Sequence, residues 1–97
     1  MPKWHVPQSA LRVRAMPGSP DPPEEDAYDR VIRVLIDARR EAGLRQADLA
    51  ERLGWPQPNL SRYETGERRI DMGQFVAIAR ALGADPAELL ARALAEG

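Results

Sequence analysis

The sequence predicts an all-α domain of five short helices preceded by an extended proline-rich arm. Three observations carry this. From residue 27 onward apolar residues recur at spacings of three and four, the period of a helix with one buried face. A glycine (Gly43, Gly54, Gly66 or Gly83) follows each of the first four apolar runs, the usual place for a left-handed helix end. No alternating apolar–polar segment long enough for a sheet occurs after residue 25. A chain of 97 residues is one small domain. The predicted organisation is an arm over 1–25 and a folded domain over 26–97.

Six of the nine prolines fall in the first 23 residues, and Pro17-Gly18-Ser19-Pro20-Asp21-Pro22-Pro23 is compatible with neither a helix nor a central strand. The arm is therefore expected to be flexible or dimer-swapped. Within it, Leu11-Arg12-Val13-Arg14-Ala15-Met16 alternates apolar and basic residues. Two readings stay open there: disorder, or a short strand that pairs with a second subunit, because an isolated strand leaves its edges unpaired.

The first helix places Tyr28, Ile32, Leu35 and Arg39 on one stripe, with Val31 and Ile36 beside it. The second, Gln46 to Leu53, puts Leu49, Ala50 and Leu53 on one face and stops at Gly54. The third runs from Gln57 to Thr65 with Leu60 and Tyr63 inward. Pro58 is tolerated there, because first-turn amides lack helical partners anyway. The fourth opens at Asp71 with Gln74 three residues on, a capping-box spacing, and turns Phe75, Ile78, Ala79 and Leu82 inward. Asp85-Pro86-Ala87-Glu88 opens the fifth with a cap, a proline at the first helical position and an acid at the third. Leu89, Leu90 and Leu94 give that helix an apolar edge. Five short helices bury a modest core, so pairing of two copies would add stability.

Composition removes several function classes. The chain has no cysteine and a single histidine, His5, in the arm, so disulfides, thiolate nucleophiles and cysteine-ligated zinc are excluded and imidazole chemistry has little to work with. No apolar stretch approaches the ~20 residues that cross a bilayer, and the N-terminus lacks the apolar core of a secretory signal, so a cytoplasmic protein is expected. No nucleophile–base pair, metal cluster or phosphate loop can be assembled. Neither an enzyme nor a cofactor or metal is expected.

The net charge of −1 conceals its distribution. Residues 21–29 carry five acids and no base, whereas residues 30–69 carry nine arginines against six acids. A polyanion responds to the local field of one face, so the basic middle is what bears on nucleic-acid binding.

That middle holds two helices joined by Gly54-Trp55-Pro56. A three-residue turn with a glycine sets helices at a steep angle rather than as an antiparallel hairpin. One helix can then lie across a DNA backbone while the next enters the major groove. The run Ala42-Gly43-Leu44-Arg45-Gln46-Ala47-Asp48-Leu49-Ala50-Glu51-Arg52-Leu53-Gly54, followed by Leu60-Ser61-Arg62-Tyr63-Glu64-Thr65-Gly66-Glu67-Arg68-Arg69, resembles the helix-turn-helix of the XRE family, the lambda-repressor and Cro-like transcriptional regulators. Ile78-Ala79-Arg80-Ala81-Leu82-Gly83 and Pro86-Ala87-Glu88-Leu89-Leu90 are similar to that family's fourth and fifth helices. The resemblance spans residues 30–92 without a gap and implies a five-helix lambda-repressor-like DNA-binding domain.

It also implies roles by position. Gln46 would hydrogen-bond a phosphate, and Gln57 would grip adenine at N6 and N7. Asn59 and Arg62 are expected on the same exposed side as Gln57, with Arg62 able to reach guanine O6 and N7. Ser61 would meet a phosphate or a base edge, and Arg68 and Arg69 would hold phosphates. Tyr63 faces the core, so base stacking is not expected of it. Arg39 and Glu64 would form a partly buried ion pair.

Three positions depart from the family pattern. Arg45 stands where a capping Ser or Thr is usual, so the second helix is expected to lack a good cap, leaving Arg45 as a phosphate contact. Pro56 replaces another common cap. Pro58 replaces a polar base reader and offers only apolar contact, such as with a thymine methyl.

The expected function is a sequence-specific regulator of double-stranded DNA, a repressor binding a palindromic operator as a dimer through Leu89, Leu90 and Leu94 or through the arm. Two rivals remain: an antitoxin whose acidic arm wraps a protein partner while the domain autoregulates its operon, and a protein-interaction module that keeps the fold without DNA affinity.

Overall fold

The computed structural model describes residues 25–95, which form five α-helices: α1 Glu25–Glu41, α2 Gln46–Leu53, α3 Gln57–Thr65, α4 Met72–Ala81 and α5 Pro86–Ala95. Of the expected arm, only Glu25 is described, as the first residue of α1; the candidate strand over 11–16 lies outside the described residues. No helix among them is long and apolar enough to cross a membrane.

Helix ends follow local chemistry. Gly54 sits at φ +71°, and a Cβ there would meet nothing within 4 Å, so glycine is needed for the backbone angle alone. The Gly54 amide donates to the Glu51 carbonyl and the Trp55 amide to that of Ala50, which satisfies two orphan carbonyls of α2. The same two-bond ending closes α1, from Gly43 to Arg40 and from Leu44 to Arg39. At the start of α4, Asp71 Oδ1 accepts from the Gln74 amide at 2.7 Å while Gln74 Oε1 accepts from the Asp71 amide at 2.8 Å, a reciprocal capping box. Asp85 Oδ1 caps α5 through the Ala87 amide at 2.9 Å.

The core is one cluster. Val34 and Leu35 of α1 meet Leu49 and Ala50 of α2, Leu60 of α3, Phe75, Ile78 and Ala79 of α4, and Leu89 and Ala93 of α5. α1 packs along α5 and touches α3, while α2 packs on both α3 and α4. Val34 is more deeply buried than the Tyr28–Ile32–Leu35 stripe implies, because α5 covers the flank of α1 that a single stripe leaves open.

One expectation needs correction. Leu89 was expected on a dimer edge, but it is 3% exposed, since α5 uses Leu89 and Ala93 to seal its own domain. Leu94, at 56% exposure, remains on the outer side of α5, while half-buried Leu90 packs against the same core. As expected, Arg45 gives the first turn of α2 no side-chain acceptor; Asp48, at the third position, accepts from the Arg45 amide at 2.9 Å, which is the reverse half of a capping box alone.

Candidate nucleic-acid interface

α3 presents two chemically different sides. Its inner side is anchored by Leu60 and Tyr63, both buried. Tyr63 is fixed further by an edge-on contact with Trp55, ring centroids 5.7 Å apart, and by a 2.9 Å bond from Gln74 Nε2 to its hydroxyl. With 100° between residues, this anchoring turns Pro58, Ser61, Arg62 and Thr65 to the outer arc, with Gln57 at its leading edge. Gln57, Pro58, Arg62 and Thr65 are exposed and Ser61 is half-buried. Asn59 is half-buried like Ser61 and lies at the opposite edge of the arc from Gln57, 60° from Arg62 around an ideal helix. Thr65 shares the outer arc, beyond the base-reading positions that the resemblance implies.

The outer surface is tied to the interior by a chain of hydrogen bonds. Arg39 Nε donates to Glu64 Oε2 at 2.7 Å and Arg39 Nη2 to Glu64 Oε1 at 2.9 Å, a bidentate pair with both side chains nearly out of solvent. Arg39 Nη1 donates to the Leu44 carbonyl at 2.8 Å, so the guanidinium also pins the α1–α2 loop. Glu64 Oε1 accepts a further bond from Gln46 Nε2 at 2.8 Å. Gln46 Oε1 in turn accepts from Gln57 Nε2 at 2.9 Å. The family resemblance implied the pairing of Arg39 with Glu64, and spacing placed both glutamines at helix starts. Neither gave a sign that the four side chains form one line.

The arginines are held differently from one another. Arg45 lies outside α2 and clasps Asp48 with Nε at 3.1 Å and Nη2 at 3.0 Å. This clasp, with the Arg45 amide, pulls the Asp48 carboxyl down to about 2, and Asp48 raises the Arg45 guanidinium above its usual value. Arg62 meets Glu67 only at 3.8 Å, an exposed pair that constrains it little. Arg68 sits over the Tyr63 ring at 5.8 Å, beside α3. Arg69 lies over the Tyr28 ring at 3.9 Å, and the Tyr28 hydroxyl accepts from the Ile70 amide at 2.9 Å. The two adjacent arginines thus diverge, one toward α3 and the other toward α1.

Residues 33–92 match the helix-turn-helix domain family. A solved structure of an XRE-family like protein from Pseudomonas syringae pv. tomato str. DC3000 is similar at 40% identity and a TM-score of 0.68, over 72% of this chain and 88% of that one. No curated protein sequence matches significantly. Two helices set across a glycine turn, with a third-helix surface of polar and basic side chains, are what that match describes in sequence terms. The chain belongs to the XRE-type helix-turn-helix family.

Proposed function

We propose that this protein is a sequence-specific repressor that binds double-stranded DNA as a homodimer on a palindromic operator. The family and fold support a DNA-binding regulator in general. The observation that carries the finer reading is the outer side of α3, where Gln57, Pro58 and Arg62 stand exposed while Leu60 and Tyr63 fix the helix from behind.

In this reading α3 enters the major groove. Gln57 and Arg62 read bases, Pro58 makes apolar contact, and Asn59 and Ser61 serve the flanks. Arg45, Gln46, Arg68 and Arg69 hold phosphates and set register without reading sequence. Leu94 and Leu90 of α5 are the apolar positions left for pairing two copies, and half-sites lie about 34–36 Å apart, one turn of the duplex. Such a small DNA-bound dimer represses by obstructing polymerase.

Selection of bound sequences from a random pool, followed by fluorescence anisotropy across a salt series, tests this. The expected outcome is a two-fold-symmetric motif and an affinity that falls steeply and linearly with the logarithm of salt. Salt-insensitive, motif-free binding would instead favour a protein-interaction module.

A further inference from the structure

Granting the reading above in which Gln57 contacts a base, we infer that Glu64 is a positioning residue that fixes which base Gln57 prefers. It acts through Gln46, by setting the direction of the hydrogen-bond chain that ends at the recognition surface.

Direction follows from the inventory of donors and acceptors. The Arg39 guanidinium has only donors, so the Glu64 carboxylate beside it can only accept. Glu64 Oε1 already takes an Arg39 bond when Gln46 approaches at 2.8 Å, and Gln46 must therefore present its NH2 group. The Gln46 carbonyl oxygen is then left facing Gln57, at 2.9 Å, and it too can only accept. Gln57 must answer with one N–H. What remains on Gln57 is one N–H donor and one carbonyl acceptor, side by side.

That remainder matches adenine, which offers N7 as acceptor and N6–H as donor in the major groove. A chain running the other way would spend the Gln57 oxygen inward and leave two N–H donors outward, which suits guanine N7 and O6. The interior cannot run the other way, because an arginine has no acceptor to begin it. A buried ion pair, 12% exposed on its glutamate side, therefore sets the polarity of an amide on the surface.

Glu64→Gln keeps the size but removes this instruction. Either orientation of the new amide sets a donor against Arg39, so Gln46 and Gln57 are free to reverse together. Sequence selection from a random pool with the full chain and with Glu64→Gln, Gln46→Ala and Gln57→Ala tests the inference. Affinity on duplexes differing at the Gln57-dependent base pair is then measured by anisotropy.

Gln57→Ala identifies that base pair. Glu64→Gln is expected to lower the preference for adenine over guanine there by roughly tenfold, with other positions of the motif unchanged. Gln46→Ala, which leaves Arg39–Glu64 intact, is expected to lower it similarly and carries the test alone if Glu64→Gln does not fold. An even loss on all duplexes in the folded variants, with adenine still preferred, overturns the relay and leaves Gln57 as reader. A motif unchanged by Gln57→Ala overturns the reader and the relay together.

Discussion

The helices on the two sides of this domain are started by opposite chemistry. α4 and α5 begin with Asp71 and Asp85, whose carboxylates accept first-turn amides. α2 and α3 begin with Arg45 and Pro56, and neither contributes a side-chain acceptor to its helix. A carboxylate at a helix N-terminus satisfies orphan donors and complements the dipole. α3, the helix proposed to enter the groove, has no acid in its first turn, and uncovered amides there attract anions. The scaffold side is thus optimised for its own stability. The α2–α3 side does without such caps at α3 and is held from its far end instead, by Glu64 on Arg39 and by Leu60 and Tyr63 in the core.

The sharpest way to break this comparison is to remove that far-end anchor. Glu64→Ala strands the Arg39 guanidinium in a site where its side chain is only 9% exposed, and leaves Gln46 without its acceptor. Removing one partner of a buried pair costs about 3–5 kcal/mol, much of the stability of a small domain. Urea unfolding is expected to show a loss of that size. A Glu64→Ala protein as stable as the parent would mean that α3 is not anchored in this way.

How much of this was legible follows from the range of the forces. Helix starts and stops are local, so Gly54, Asp71 and Asp85 announce them in the sequence and the structure places them where spacing predicts. Burial on a single face is nearly local, and Leu49, Leu60, Tyr63 and Phe75 follow it. Val34, Leu89 and Ala93 do not, because their burial depends on how α5 lies across α1, a long-range choice that helical periodicity does not encode. At the site, exposure of Gln57 and Arg62 was readable from the faces of α3. The Glu64–Gln46 bond joins residues 18 apart and needs the angle between two helices, so no spacing rule reveals it. The absent cap at Arg45 is local and readable, since an arginine side chain has no acceptor to offer a first-turn amide.

Arg62 and Arg68 sharpen the comparison within the α3 side. Arg62 is loosely held at 3.8 Å from Glu67, while Arg68 rests over the Tyr63 ring next to the helix end. If the first reads a base, Arg62→Ala should cost about 1–3 kcal/mol on the selected duplex and little on random ones. Arg68→Ala should weaken every duplex alike and reduce the salt slope by about one. Anisotropy on both duplex sets decides, and equal losses for Arg62→Ala would remove it from base reading. On the scaffold side, Asp71→Ala is expected to cost about 1 kcal/mol of stability while leaving the selected motif unchanged. A shifted motif would show that the two sides are not separable.

The smallest effect isolates the one first-turn carboxylate on the α2–α3 side. Asp48 titrates at about 2 in the folded protein, against an ordinary value near 3.8, because the Arg45 side chain and amide hold its charged form. A folded-state value below the unfolded one gives stability that is present above the unfolded value and is lost as pH falls through the folded one. Asp48→Asn removes that contribution at every pH. The gap in stability between parent and variant should therefore be constant above about pH 5, shrink from about pH 4 downward and close near pH 2. Other carboxylates titrate in both proteins, so the difference cancels them. The pair is exposed, so the gap should be small and should narrow further in high salt. Urea unfolding of both proteins over this range measures it, and a gap that persists unchanged at pH 2 would show that Asp48 acts by shape rather than by charge.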